Sequence, residues 1–166
     1  MLFAITDIET TGSHAAGNSI IEIGIVLYDG TRVVDEFQSL IDPGVPIPPF
    51  ITTLTGIDDD MLRKAPPFHQ IADALEEFME GAVFVAHNVG FDHSFIRAEF
   101  AAIGRAWNPP RLWGHEGGGH RPFSWREFRL RIPRHHSWNP AGRSPRRRAV
   151  RSGGPDGILS LRAREH

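Results

Sequence analysis

The chain of 166 residues has no cysteine, a single tyrosine and no apolar run approaching the length of a membrane span. The missing cysteine excludes disulfide scaffolds, thiolate zinc sites, iron–sulfur clusters and thiol nucleophiles. A helical bilayer crossing needs about 20 consecutive apolar residues, so no membrane partner is expected. The opening stretch MLFAITDIET has no basic start and carries an acid at position 7, unlike a secretory signal. A cytoplasmic location is therefore the expectation. With 40% apolar and 23% charged residues the composition is that of an ordinary globular protein, and the length allows one sizeable core.

The net charge of −2 conceals a division. Residues 1–104 carry 16 Asp/Glu against four Lys/Arg, a charge of −12, whereas residues 105–166 carry 14 Arg, no Lys and four Asp/Glu, a charge of +10. The second part also holds all four tryptophans, eight glycines and seven prolines. We expect a folded domain over 1–104 and an Arg/Gly/Pro/Trp-rich tail over 105–166.

Within the first part, residues 2–8 (LFAITDI) suit a buried strand, and 19–28 (SIIEIGIVLY) form a second, alternating around Glu22 and Gly24. Asp29-Gly30 is a favoured hairpin turn, leading into a third strand over VVDEFQSLI. The Pro-rich stretch after Asp42 breaks the sheet, and residues 50–64 read as one or two short helices. Phe68, Ile71, Ala72, Leu75, Phe78 and Met79 then recur at the helical period. AVFVA (82–86) is a buried strand, and a further helix over 92–103 places Phe95, Ile96, Phe100 and Ile103 on one face. This is an α/β plan. After Gly104 no period survives, and no element is placed there.

Asp7 and Glu9 stand at i and i+2 and so share one face of the first strand. Two carboxylates on an otherwise apolar strand are costly unless a cation compensates them, and hard oxygen donors suit Mg²⁺ or Mn²⁺. A bare D-x-E at a strand end is more often a solvated pair; the longer string DIETTG, running from a hydrophobic strand into a Gly loop, points to a metal site. Asp92, in AHNVGFDHSFI (86–96), is by itself an acid opening a helix, favoured there by the helix dipole. Phe91 and Phe95, four residues apart, belong to the core.

DIETTG and, about 80 residues later, HNVGFDHSF together resemble the DEDD 3′–5′ exonucleases, in particular the proofreading epsilon subunit of bacterial replicative polymerase and its relatives. ITTLTGIDDDML (51–62) resembles the segment between those motifs. The resemblance covers residues 2–104. It implies a ribonuclease H-like mixed sheet flanked by helices, and a centre of two divalent metals, Mg²⁺ or Mn²⁺, held by four carboxylates. Carried over by position, Asp7, Glu9 and Asp92 are catalytic metal ligands, and Thr10 and Leu54 lie against the substrate's terminal nucleotides. Two metals activate water and stabilise the leaving 3′ oxygen of a phosphodiester. The implied substrate is a single-stranded DNA 3′ end, with RNA as an alternative and a polymerase subunit as a partner.

The family's third motif, His-x4-Asp or Tyr-x3-Asp, supplies the fourth carboxylate and the residue that works on the attacking water. It is absent here. Arg32 stands four positions after Tyr28, and of nine histidines only His87 has an aspartate five residues on, namely Asp92. His87 reads as a brace for its loop. Three readings of the tail follow: a basic extension that neutralises phosphates and stacks on bases, a disordered solvated tail, and a reading frame lost near 105–115. The third is preferred, because the composition shifts where a required motif should appear. A sheet cut short there would lack its last strand and closing helix. The expected function is thus a metal-dependent 3′–5′ exonuclease of proofreading or repair type, weak or inactive in this chain. The alternative is a non-catalytic nucleic-acid- or polymerase-binding module with a degenerate exonuclease fold.

Overall fold

The computed structural model describes residues 1–109 and 111–114. Three strands open the chain, β1 (Phe3–Thr10), β2 (Ile20–Tyr28) and β3 (Val33–Leu40). Two short helices follow, α1 (Pro49–Thr55) and α2 (Asp59–Leu62), then α3 (Phe68–Met79), β4 (Val83–Ala86) and α4 (Val89–Ala102). Strand β5 (Leu112–Gly114) joins them, and among the described residues the sheet order is β3-β2-β1-β4-β5. β1–β2 and β2–β3 are antiparallel hairpin pairs, whereas β4 lies parallel to β1 and β5 parallel to β4. This is the mixed sheet flanked by helices that the sequence predicts.

The β2–β3 turn is built by Asp29, whose carboxylate accepts from the N–H groups of Thr31 (2.8 Å) and Arg32 (2.9 Å), while Gly30 takes φ 97°. Alternation sorts the strand residues between two faces. Ala4 and Ile8 of β1 join Ile23, Ile25 and Leu27 of β2 in the main core under α3 and α4. The six apolar positions predicted for α3 are all buried, as are Phe95, Ile96 and Phe100 of α4. Phe3, Ile5, Val26, Tyr28, Val83 and Val85 cluster on the opposite face, and Asp7 and Glu9 follow Ile5 on that side of β1.

Three expectations change. β1 does not stop at Ile8 but runs through Thr10, so both acids sit within the strand. α4 starts at Val89, capped by Asn88, three residues earlier than its apolar pattern suggests; Phe91 N–H and Asp92 N–H both donate to the Asn88 carbonyl. The regular chain also continues past Gly104. Arg105 ion-pairs with Asp73 (2.5 Å) and Glu76 of α3 and lies over the Phe100 ring, and buried Trp107 stacks on Phe100 and meets Phe84 edge-on. β5 then adds a fifth strand where none was expected. Three residues are too few to show a period, and β5 is held by its ladder to Phe84–Ala86. The rest of the tail, with its composition and reading-frame questions, lies outside the described residues.

Candidate active site

The site is assembled by the parallel pairing of β1 and β4. Their ladder covers only Phe3–Ile5 against Val83–Val85, because β4 ends at Ala86. β1 projects four residues further, and the first turn of α4 occupies the place beside it that β4 has vacated. Asp92, the fourth residue of α4, accepts there from the backbone N–H of Ile8. A side chain thus satisfies a strand donor that has no ladder partner on that edge. Asp92 is only 6% exposed. Burial first, and the negative charge of Asp7 second, push its carboxyl up from 3.8 to about 7, although the Ile8 and Asp92 N–H groups oppose the shift. A buried carboxylate facing another carboxylate is where a cation is worth most.

Asp7 is exposed and pairs across the sheet with Gly24, which adds no side chain on that face. Half-buried Glu9 stands opposite Glu22, and Glu22 is held by the Gln38 side-chain amide at 2.9 Å. In the sequence Glu22 is only a polar interruption of a strand; its register against Glu9 comes from the hairpin. Among the described residues no three acidic or histidine side chains yet converge tightly enough to hold an ion as they stand. The structure brings Asp7 and Asp92 within electrostatic reach and leaves Glu9 two residues along the same strand face. Hard oxygen donors of this kind fit a divalent cation, whose binding would displace any proton held on the buried carboxyl.

The TTG that follows Glu9 is structural. Thr10 is buried and donates to the Gly12 carbonyl at 2.7 Å. The Thr11 hydroxyl donates to Asn18 Oδ1 (3.1 Å) and accepts from Ser19 N–H (3.0 Å), and the Asn18 amide closes the loop on the His14 carbonyl (2.8 Å). A Cβ at Gly12 would run into the Asn18 side-chain amide, which would then have to shift from its place in the loop. The middle segment is equally explained by caps. Gly56 ends α1 at φ 77°, Asp58 caps α2 through Met61 N–H, and Asp59 holds Ile47 N–H. Ile47, Ile51, Ile57 and Leu62 pack on Ile21, the residue bulged out of register opposite Glu9 and Thr10. α1 therefore docks at the end of the sheet that bears the acids, and Leu54 on it is 73% exposed. His87 is exposed at the β4–α4 junction. A cleft lined by Asp73, Glu76, Glu80, Arg105 and Trp107 lies on the α3 side and includes none of the three acids.

Residues 4–114 match the RNase T exonuclease family. The chain belongs to that family. The exonuclease 3′-5′ exonuclease DinG of Staphylococcus saprophyticus is 39% identical over 110 residues, which is 66% of this chain and 12% of that protein. A PolC-type DNA polymerase III of Caldanaerobacter subterraneus is 44% identical over 102 residues, 61% of this chain and 7% of the polymerase. The chain thus spans a small part of these relatives. In fold the domain resembles E. coli exonuclease I crystallised with a dT13 oligonucleotide, at a TM-score of 0.61 and 19% identity, covering 68% of this chain and 27% of the other. The exonuclease family match ends at residue 114, where the described residues also end.

Proposed function

We propose that this exonuclease-family domain hydrolyses phosphodiester bonds at single-stranded 3′ ends of DNA, with RNA as the alternative substrate, using Mg²⁺ or Mn²⁺ held by Asp7, Glu9 and Asp92. The observation that carries the reading is the buried Asp92 carboxylate set against Asp7, each delivered by a different motif and joined by the β1–β4 pairing. Divalent ions bound there would activate water and stabilise the leaving oxygen. The chain's own residues would supply the rest. Asp92 holds β1 through Ile8 N–H, Thr10 fixes the loop beyond the acids, and exposed Leu54 offers an apolar contact to a terminal base. A replication or repair role and a polymerase partner belong to the same proposal; kinship with a PolC-type polymerase supports it.

Apart from His87–Asp92, which falls within the second motif, the sequence has no His-x4-Asp or Tyr-x3-Asp, so weak activity is expected. The non-catalytic, nucleic-acid- or polymerase-binding alternative gains from that absence. Incubation of the chain with a 3′-labelled single strand should release mononucleotides slowly in Mn²⁺, more slowly in Mg²⁺, and not at all in EDTA. Asp7→Ala should abolish release, because loss of one catalytic group commonly costs several orders of magnitude. Binding without metal-dependent release would favour the non-catalytic module. We further propose that the coding frame is lost near residues 105–115, at the far end of that stretch. The family match stopping at residue 114, close to where the charge turns from −12 to +10, supports this. Sequencing the DNA across codons 95–166 and translating every frame should uncover the missing motif in a shifted frame; an intact frame with no such motif elsewhere overturns it.

A further inference from the structure

Glu99 lies on α4 seven residues after Asp92, two helical turns along nearly the same face. Its Oε1 accepts the backbone N–H of Ile20 at 2.9 Å. Ile20 is fully buried, opens β2 and pairs with Thr10 at the point where the β1–β2 register shifts. One residue earlier, Ser19 accepts from Thr11 N–H at 2.9 Å. A single carboxylate from α4 therefore grips the irregular end of the hairpin, next to Glu9 and beyond the last regular pair. The grip is not a surface decoration. Burial pushes the Glu99 carboxyl up, against the lowering effect of the Ile20 bond, and the donor it satisfies is inaccessible to water.

We propose that Glu99 is a positioning residue: by holding Ile20 N–H it fixes the end of β1 that bears Asp7 and Glu9 relative to the helix that bears Asp92, and so sets the affinity of the three acids for a divalent cation. The inference rests on the metal reading above. α4 is then attached to the hairpin at two places, Asp92 on Ile8 N–H and Glu99 on Ile20 N–H. α4 itself is fixed by Phe95, Ile96 and Phe100 in the main core, so without the second bond it is the irregular end of the hairpin, with Glu9, that would shift relative to Asp92.

The test uses the full chain and Mn²⁺ alone as probe, titrated by calorimetry into the original protein and into E99A, E99Q and E99D, each first shown to be folded by circular dichroism. E99Q keeps an acceptor oxygen at the same reach; E99D keeps the charge but shortens the side chain by one methylene. Supporting groups behind a metal ligand typically govern about 10-fold in affinity or more, so E99A and E99D should bind Mn²⁺ about 10-fold more weakly while E99Q stays close to the original. Amide exchange at Ile20 and Thr11 should accelerate in E99A and E99D but not in E99Q. Original-level Mn²⁺ affinity in E99A, or a loss in E99Q equal to that in E99A, overturns the proposal. If E99A does not fold, E99D decides in the same way. If even the original chain binds no Mn²⁺, the metal reading fails separately. Amide exchange then judges the grip, and unchanged protection in E99D overturns it.

Discussion

At the scale of single residues, Asp92 makes the metal-free protein sensitive to pH in an unusual direction. Its carboxyl titrates near 7 in the folded chain, against 3.8 for the ordinary group. The folded state therefore holds a proton that the unfolded state releases between those values, and stability falls as pH rises through that window. At about 1.4 kcal/mol per unit of pKa the loss reaches roughly 4 kcal/mol by pH 8. Glu99, also raised by burial, contributes in the same sense. Urea unfolding in EDTA should show Asp92→Asn losing most of the difference between pH 5 and pH 8; an unchanged difference would locate the titration elsewhere. Gly12 makes a second residue-scale prediction. Gly12→Ala must displace the Asn18 amide from its bonds to Thr11 and His14, at a cost of about 1–3 kcal/mol. In a thermal-melt cycle, Asn18→Ala should relieve part of that cost, making the pair less than additive.

Among the elements, α3 shows how much a periodic pattern discloses. Phe68, Ile71, Ala72, Leu75, Phe78 and Met79 lie one or two turns apart and all are buried, because an amphipathic helix has one way to cover a sheet. Leu75 is fully buried at the centre of that stripe, so Leu75→Ala should lower unfolding free energy by about 2–5 kcal/mol in denaturant titrations. α4 was less legible. Its first helical residue is Val89, three before Asp92, and Asn88 ahead of it makes no side-chain cap hydrogen bond that a sequence could signal. Asp92 read alone as a dipole acid was indistinguishable from a buried one; only its place beside the end of β4 makes it a partner of Asp7. β5 was not legible at all, since a three-residue strand exists only through its neighbour.

Over the whole molecule, charge works against the proposed substrate. Residues 1–114 carry −10 and residues 115–166 carry +8. A surface of the first kind repels DNA unless cations or an attached basic segment compensate. Replacing Arg146, Arg147 and Arg148 together by Ala in the full chain should then lower the slope of log affinity against log salt for a single-stranded oligonucleotide by roughly 2, at about 0.7 per phosphate contact. Fluorescence anisotropy at several salt concentrations reads this directly. An unchanged slope removes those arginines from binding.

The strand–turn–strand opening, the amphipathic α3 and the pair Asp7 and Glu9 on one strand face are legible in the residue order, because they depend on periods of two and 3.6 residues and on local turn chemistry. The same order carries the three segments by which the family resemblance is drawn. The remaining features of the site depend on contacts between distant segments. The short β1–β4 ladder leaves Ile8 N–H for Asp92, the hairpin register sets Glu22 opposite Glu9, and Glu99 reaches Ile20 across 79 residues of chain. No local pattern encodes such pairs; they arise when burying the main core forces a helix against a strand end whose backbone donors must still be satisfied.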